Sequence, residues 1–251
     1  MHLNAKFDQG RHHQAKIGYI ILSGEETVED DVIQLSPDGI GNHFNRFSAS
    51  DEMTLDGVER MRHLIGEAAQ NILPGYDLDA VCFSCSAASM ILGDKEICEI
   101  LRQAKPNSYI CTVIGSSTLA LRAVEAKKIA VLTPYPQEFE SYVQEYLSES
   151  NFEVISYNSF EFATNQEINC LSPASILENA HNINVDEADT LFLCCGAMRS
   201  LDIVQELEDS LGKPVICSNQ AMMWDCLRKS GVNDKIEGFG RLFQLPGIDN
   251  I

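Results

Sequence analysis

Two cysteines, Cys85 and Cys195, stand where a short apolar run gives way to a new segment: FSC followed by SAASMILG, and FLCC followed by GAMRSLDIV. A residue at the carboxyl end of a strand, where a helix begins, faces unpaired backbone N–H groups and the positive end of the helix dipole. Both effects favour thiolate over thiol and draw the sulfur pKa toward neutrality. The same N–H groups can hold a carboxylate. The two sulfurs are therefore expected to face one another across a cleft and to act on a small carboxylic acid. The competing reading is that each is one more small buried residue.

Other residues fall on the same edge. Tyr135 follows KIAVLTP and carries a hydroxyl able to donate to a substrate carboxylate or to an enolate-like charge; it could equally cap the core. The loop LSGEETVEDD offers the hydroxyls of Ser23 and Thr27, with Glu25 and Glu26 placed to point outward or to meet a cationic group. A cap for a helix starting near Val28 is the plainer role of this loop. Ser218 and Asn219 open another helix, where capping again competes with binding. Arg199, expected one helical turn beyond Cys195, pairs with a glutamate or fixes the helix, and Arg46, in the loop NHFNRFSAS, is a candidate carboxylate clamp. Cys82 and Cys85 form a CxxC, but Cys82 lies inside its strand, and Cys194–Cys195 is unlike a second zinc knuckle. Cys82, Cys194 and Trp224 read as core. No GxGxxG, P-loop or HExxH is present, so neither a nucleotide cofactor nor a metal is expected.

The elements that must position these groups are legible as apolar runs at 16–23, 79–84, 109–114, 128–133, 152–157, 189–194 and 214–218. They are continuously apolar rather than alternating, which suits parallel strands covered on both faces. Helical repeats occupy 53–72, 137–150, 200–212 and 219–231, the last two ending at Gly212 and Gly231. KIGYIILS and KIAVLTPY begin similarly, and DAVCFSC and DTLFLCC follow each at nearly the same separation. The expected architecture is α/β, with two similar doubly wound parallel-sheet halves about a pseudo-twofold axis and the active site in the cleft between them. The expected boundaries are a flexible arm at 1–15 (giving His12 and His13 no role), a first half at 16–120 with Cys85, a second half at 121–231 with Tyr135 and Cys195, and a C-terminal segment at 232–251 packing back on the first half.

Composition bounds the rest. The 251 residues carry a formal net charge of −19, which disfavours nucleic acid and anionic membrane surfaces as partners. Nine cysteines without an export signal read as free thiols of a cytoplasmic protein. No apolar run reaches the length of a membrane span. Apolar helical faces are compatible with a homodimer or higher homo-oligomer, and with core packing equally.

FSCSAAS around Cys85, SSTLALRAVEAKKIAVLTPY leading to Tyr135, and CGAMRSLDIVQELEDSLGKPVICSNQAMMWDCLR from Cys195 resemble the aspartate/glutamate racemase superfamily, in its branch of maleate cis-trans isomerases and arylmalonate decarboxylases. The resemblance runs from about Lys16 to Gly231. It implies that Cys85 adds to the double bond of a small dicarboxylic acid, that Cys195 handles the proton, and that Ser23, Ser86, Tyr135 and the amide of Gly196 hold carboxylates, with no cofactor. The chain departs from the family pattern at three places: Ser86–Ala87 replaces threonine–serine after Cys85, Gly196 replaces threonine after Cys195, and Glu25 stands where isomerases carry a carboxylate-binding asparagine. The leading expectation is a maleate-to-fumarate type isomerase. A two-cysteine amino-acid racemase, in which Glu25 or Glu26 would bind an amine, a malonate-type decarboxylase needing one cysteine, and a non-catalytic acid-binding protein are the alternatives.

Overall fold

Continuously apolar runs can be buried on both faces only inside a sheet flanked by helices, and the computed structural model, which describes residues 3–183 and 185–248, has two such sheets. The first half contains β1 (Ala15–Leu22), α1 (Val28–Gln34), β2 (Ile40–Phe47), α2 (Leu55–Glu59), α3 (Ile65–Gln70), β3 (Ala80–Phe83), α4 (Ser86–Leu92), α5 (Asp94–Ala104), β4 (Tyr109–Thr112) and α6 (Val113–Ala123). The second contains β5 (Lys128–Thr133), α7 (Glu140–Glu149), β6 (Glu153–Ser159), α8 (Asn165–Asn169), α9 (Pro173–Asn182), β7 (Thr190–Leu193), α10 (Val204–Leu211), β8 (Val215–Cys217) and α11 (Ser218–Lys229). The strand orders, β2-β1-β3-β4 and β6-β5-β7-β8, are the same, and every pairing is parallel.

The likeness extends to single side chains. The Lys16 backbone N–H donates to Asp79 at 2.7 Å, and that of Lys128 donates to Asp189 at 2.9 Å. The ammonium of Lys105 donates to the carbonyls of Ile72, Leu73 and Tyr76, and that of Lys213 to the carbonyls of Val185, Asp186 and Ala188. In each half one lysine thus gathers the loop that leads into the strand ending at a key cysteine.

The halves are joined through α6 and α11, which pack on each other. Every residue of α11 from Ser218 to Arg228 is buried. Its Met222 and Met223 sulfurs accept from Ser84 and Tyr19 of the first half, and its Asp225 accepts from Ser116 and Tyr109.

Several boundaries differ from the sequence expectation. Strand β2 was not anticipated: it is an edge strand whose Asn42, His43 and Asn45 are only partly buried and whose Arg46 is exposed, so it lacks an apolar run, and it places Arg46 on a strand rather than in a loop. The helix expected at 53–72 breaks into α2 and α3. The helix expected from residue 200 begins at Val204 after a 3-10 turn at Leu201–Ile203. The arm is not free throughout, because Gln14 donates from its backbone to Gly39 and the His12 ring meets that of His43 edge-on. The C-terminal segment packs on α10 and α11 rather than on the first sheet. Leu242 and Phe243 are fully buried, Arg228 donates to the carbonyls of Val232, Asp234, Phe243 and Leu245, and Glu208 accepts from the Arg241 N–H. The reason is that α11 itself covers the first half.

Candidate active site

Strands β3 and β7 are equivalent, and each ends beside one sulfur of a shared cavity. That cavity is lined by Cys85, Ser86 and Ala87 from the first half and by Tyr135, Cys195, Gly196 and Ala197 from the second. Glu25 lies in its wall, as do Ser50, Ser84 and Asn165. The centre of a water-sized sphere can move through about 50 Å³ of it, where one water needs roughly 10–15 Å³. Only a small molecule fits. Among the described residues that line it there is no lysine, arginine or histidine.

Cys85 is the N-cap of α4 and accepts from the Ala88 N–H at 3.5 Å. Cys195 has no helix behind it. Residues 196–200 form a turn because their carbonyls are taken across the chain: Asn219 donates to the Gly196 carbonyl at 2.7 Å, and Thr27 donates to that of Ala197 at 3.0 Å. The Ala197 and Met198 N–H groups still reach the Cys195 sulfur, and the Tyr135 hydroxyl donates to it. These donors lower the sulfur pKa values, yet burial outweighs them. Cys85 is pushed up to about 12 and Cys195 to about 11, with the Glu25 carboxylate adding to both and Cys195 adding to Cys85. The expectation of near-neutral thiols is thereby corrected: both sulfurs are held as thiols, because a buried site penalises the anion more than the N–H groups favour it.

Glu25 is 4% exposed, and its carboxylate accepts from the Thr27 and Val28 N–H groups at 2.7–3.0 Å, capping α1 in place of Thr27. Burial raises it to about 7. Glu26, its neighbour, is exposed.

Six further residues singled out in the sequence do not line the cavity. Ser23 is exposed and accepts from the Ala49 N–H. Thr27 spends its hydroxyl on Ala197. Arg46 donates to the carbonyls of Leu22, Ser23 and Glu25 and pairs with Glu29, so it clamps the β1–α1 loop instead of a substrate. Ser218 lies behind Ser86, oxygen to oxygen at 3.4 Å. Asn219 supports the turn from beneath, donating to Asp31 as well as Gly196. A Cβ at position 196 would sit 2.8 Å from the Asn219 Oδ1, so a side chain there would displace the Asn219 amide. Arg199, not on a helix, donates to the Leu171 carbonyl and holds the α8–α9 link.

Asn165, Ser50, Glu52 and Ser84 were missed. The first three belong to a strap over the cavity. Met53 donates to the Ala163 carbonyl, Asn165 donates from its backbone to Asp51, and an isolated bridge joins Glu52 to Thr164. Asn165 starts α8 immediately after Thr164, which with Glu167 forms a capping box; that S/T-x-x-E pattern was the available signal. A separate trio of thiols, Cys82, Cys111 and Cys226, lies within 4.8 Å of one another, but none of the three lines the cavity.

The model of the arylmalonate decarboxylase family matches residues 26–243. A maleate isomerase from Nocardia farcinica is 25% identical over 239 residues, covering 91% of this chain and 95% of that protein. Another from Geobacillus stearothermophilus is 28% identical, covering 90% and 96%. Among solved structures, a cysteine-to-alanine variant of a maleate isomerase from Pseudomonas putida S16 with maleate superposes with a TM-score of 0.85 at 24% identity, covering 91% of this chain and 97% of that one. A serine variant of the Nocardia farcinica maleate cis-trans isomerase with a covalently bound succinylcysteine intermediate gives 0.82 at 23% identity, covering 91% and 98%.

Proposed function

Because the chain belongs to the arylmalonate decarboxylase family, we propose that it is a cofactor-independent isomerase that turns the cis double bond of a small unsaturated acid to trans, in the manner of maleate to fumarate. The observation that carries this reading is the pair of sulfurs, Cys85 and Cys195, in the wall of one small cavity, each met by backbone N–H groups. A decarboxylase of this family needs one cysteine; two equivalent ones suit addition and proton transfer on opposite sides of a substrate.

In the proposed cycle the Cys85 sulfur, as thiolate, bonds to one alkene carbon. The π electrons move to the other carbon and into its carboxylate, and Cys195 gives that carbon its proton. The C–C bond is now single and rotates. Cys195 takes the proton back, the C–S bond breaks, and the thiolate of Cys85 returns with nothing consumed. In this cycle the Ser86 hydroxyl and the Gly196 amide would hold the carboxylate on which charge develops, while the Tyr135 hydroxyl and the Ala197 amide stay on the Cys195 sulfur. Asn165 closes the cavity from above.

Proton NMR with maleate tests this. The account predicts fumarate from the wild type and a loss of ~10³-fold or more for Cys85→Ala. Maleate that persists with the wild type as it does in an enzyme-free buffer control would remove the proposal. A cytoplasmic site for the protein is proposed on its free cysteines, and a small acid rather than nucleic acid or membrane as partner on its net charge of −19; no helix among the described residues is long and apolar enough to cross a membrane. A homodimer or higher homo-oligomer belongs to the same proposal, with sedimentation as its test.

A further inference from the structure

We propose that Glu25 sets the substrate: the end of the acid that meets it carries a hydrogen-bond donor, a carboxamide, rather than a second carboxylate, so that the half-amide of cis-butenedioic acid is turned over in preference to the diacid. This rests on the isomerase reading above.

Glu25 is a wall of the same cavity as both sulfurs, and its charge is felt at both. Its position is fixed, because Oε1 receives the Thr27 and Val28 N–H groups and Oε2 receives Val28 at 3.0 Å. A carboxylate has about four lone-pair sites, so Oε2 retains room for a donor from the substrate. The cation facing it, Arg46 on β2, is committed to three backbone carbonyls and to Glu29. The other charged or titratable groups facing it are Glu29 and Asp31 of α1 and the two thiols. None offers a positive charge to offset a second substrate carboxylate, and Glu52 at the mouth adds another acid. A diacid would therefore press like charge on like charge in a dry site.

A carboxamide has the shape of a carboxylate, is neutral and presents N–H to Glu25. It also preserves the conjugated double bond that sulfur addition needs. An α-ammonium acid would supply donors but has no alkene to accept the sulfur. The cycle on the half-amide balances as before: one C–S bond forms and breaks, one proton leaves Cys195 and returns, and no co-reactant enters.

Steady-state kinetics on the full chain, with maleate and maleamate at pH values on either side of 7, tests the assignment. The wild type is expected to show kcat/KM for maleamate about tenfold or more above that for maleate. KM for maleate should rise, and KM for maleamate fall, as pH increases through the Glu25 titration near 7. Glu25→Gln, which keeps an oxygen acceptor for the α1 amides, should shift the ratio toward maleate by about tenfold. A wild type that prefers maleate overturns the assignment and leaves the isomerase reading intact. A ratio unmoved by Glu25→Gln in a folded variant also overturns it; if the variant does not fold, the wild-type ratio decides. Conversion of neither compound overturns both readings, and deuterium entering L-aspartate instead would replace them with a racemase.

Discussion

The sulfurs of Cys85 and Cys195 are held as thiols by burial, and the chemistry needs one of them as an anion. The pH profile follows from this. With Cys85 at about 12 and Cys195 at about 11, kcat should climb with pH through the neutral and alkaline range instead of reaching a plateau near pH 7. The rate of alkylation by iodoacetamide at Cys85, followed by peptide mapping to separate it from the exposed Cys170, should climb in parallel. A flat profile above neutrality would contradict the raised thiol pKa values. At this scale the sequence was informative where a residue's position depends on its own strand end, as for Cys85, Cys195 and Tyr135, which line one cavity. It misled where a hydroxyl or guanidinium had two partners to choose from. Thr27 and Arg46 carry donors suited to a carboxylate but spend them on backbone carbonyls, and the Ser23 oxygen is exposed and accepts from the Ala49 N–H. The Thr27–Ala197 bond spans 170 positions, beyond any local pattern.

The elements that place the two sulfurs are not equally rigid. Cys85 is carried by a helix start, whereas Cys195 rides on a turn held by Thr27 from the first half and Asn219 from α11. Thr27→Val keeps the shape and removes the hydroxyl that the Ala197 carbonyl depends on. It should cost about 1–2 kcal/mol of stability and lower kcat by about tenfold through misplacement of Cys195, read by urea unfolding and turnover on the same sample. Unchanged turnover would show that the turn holds itself. Seven of the eight strands were legible because each carries a short apolar run, continuous in the buried inner strands and weaker in the half-buried edge strand β6. The eighth, β2, escaped because an edge strand with Asn42, His43 and Asn45 half-wet and Arg46 exposed has no such run. The turn at Cys195 escaped for a different reason: the carbonyls of Gly196 and Ala197 are taken by Asn219 and Thr27, partners far along the chain that no local pattern shows.

Across the whole molecule, the pseudo-twofold arrangement brings one strand end from each half to one cavity, and it also buries acids. Glu25, Asp31 and Asp225 are all raised to about 7 by burial. A carboxyl whose folded pKa lies above its unfolded value binds its proton more tightly in the native state. Its contribution is fully present below the unfolded value near 4 and is lost as pH rises through about 7. The growing self-repulsion of a chain with net charge −19 acts in the same direction. The urea midpoint should therefore fall from mildly acid to mildly alkaline pH, and Asp225→Asn should flatten that fall. A midpoint that rises over this range would contradict the assignment of these three groups.

The central claim is that the Cys85 sulfur forms a bond to the substrate. Its most direct measurement is intact-mass spectrometry with peptide mapping on a Cys195→Ser variant incubated with maleate or maleamate, in which proton return is impaired and the adduct should accumulate. The account predicts a mass increase of one substrate molecule, located on Cys85 and absent from Cys85→Ala. A substrate-sized adduct on another cysteine, or no adduct with either compound while the wild type still isomerises it, would contradict it.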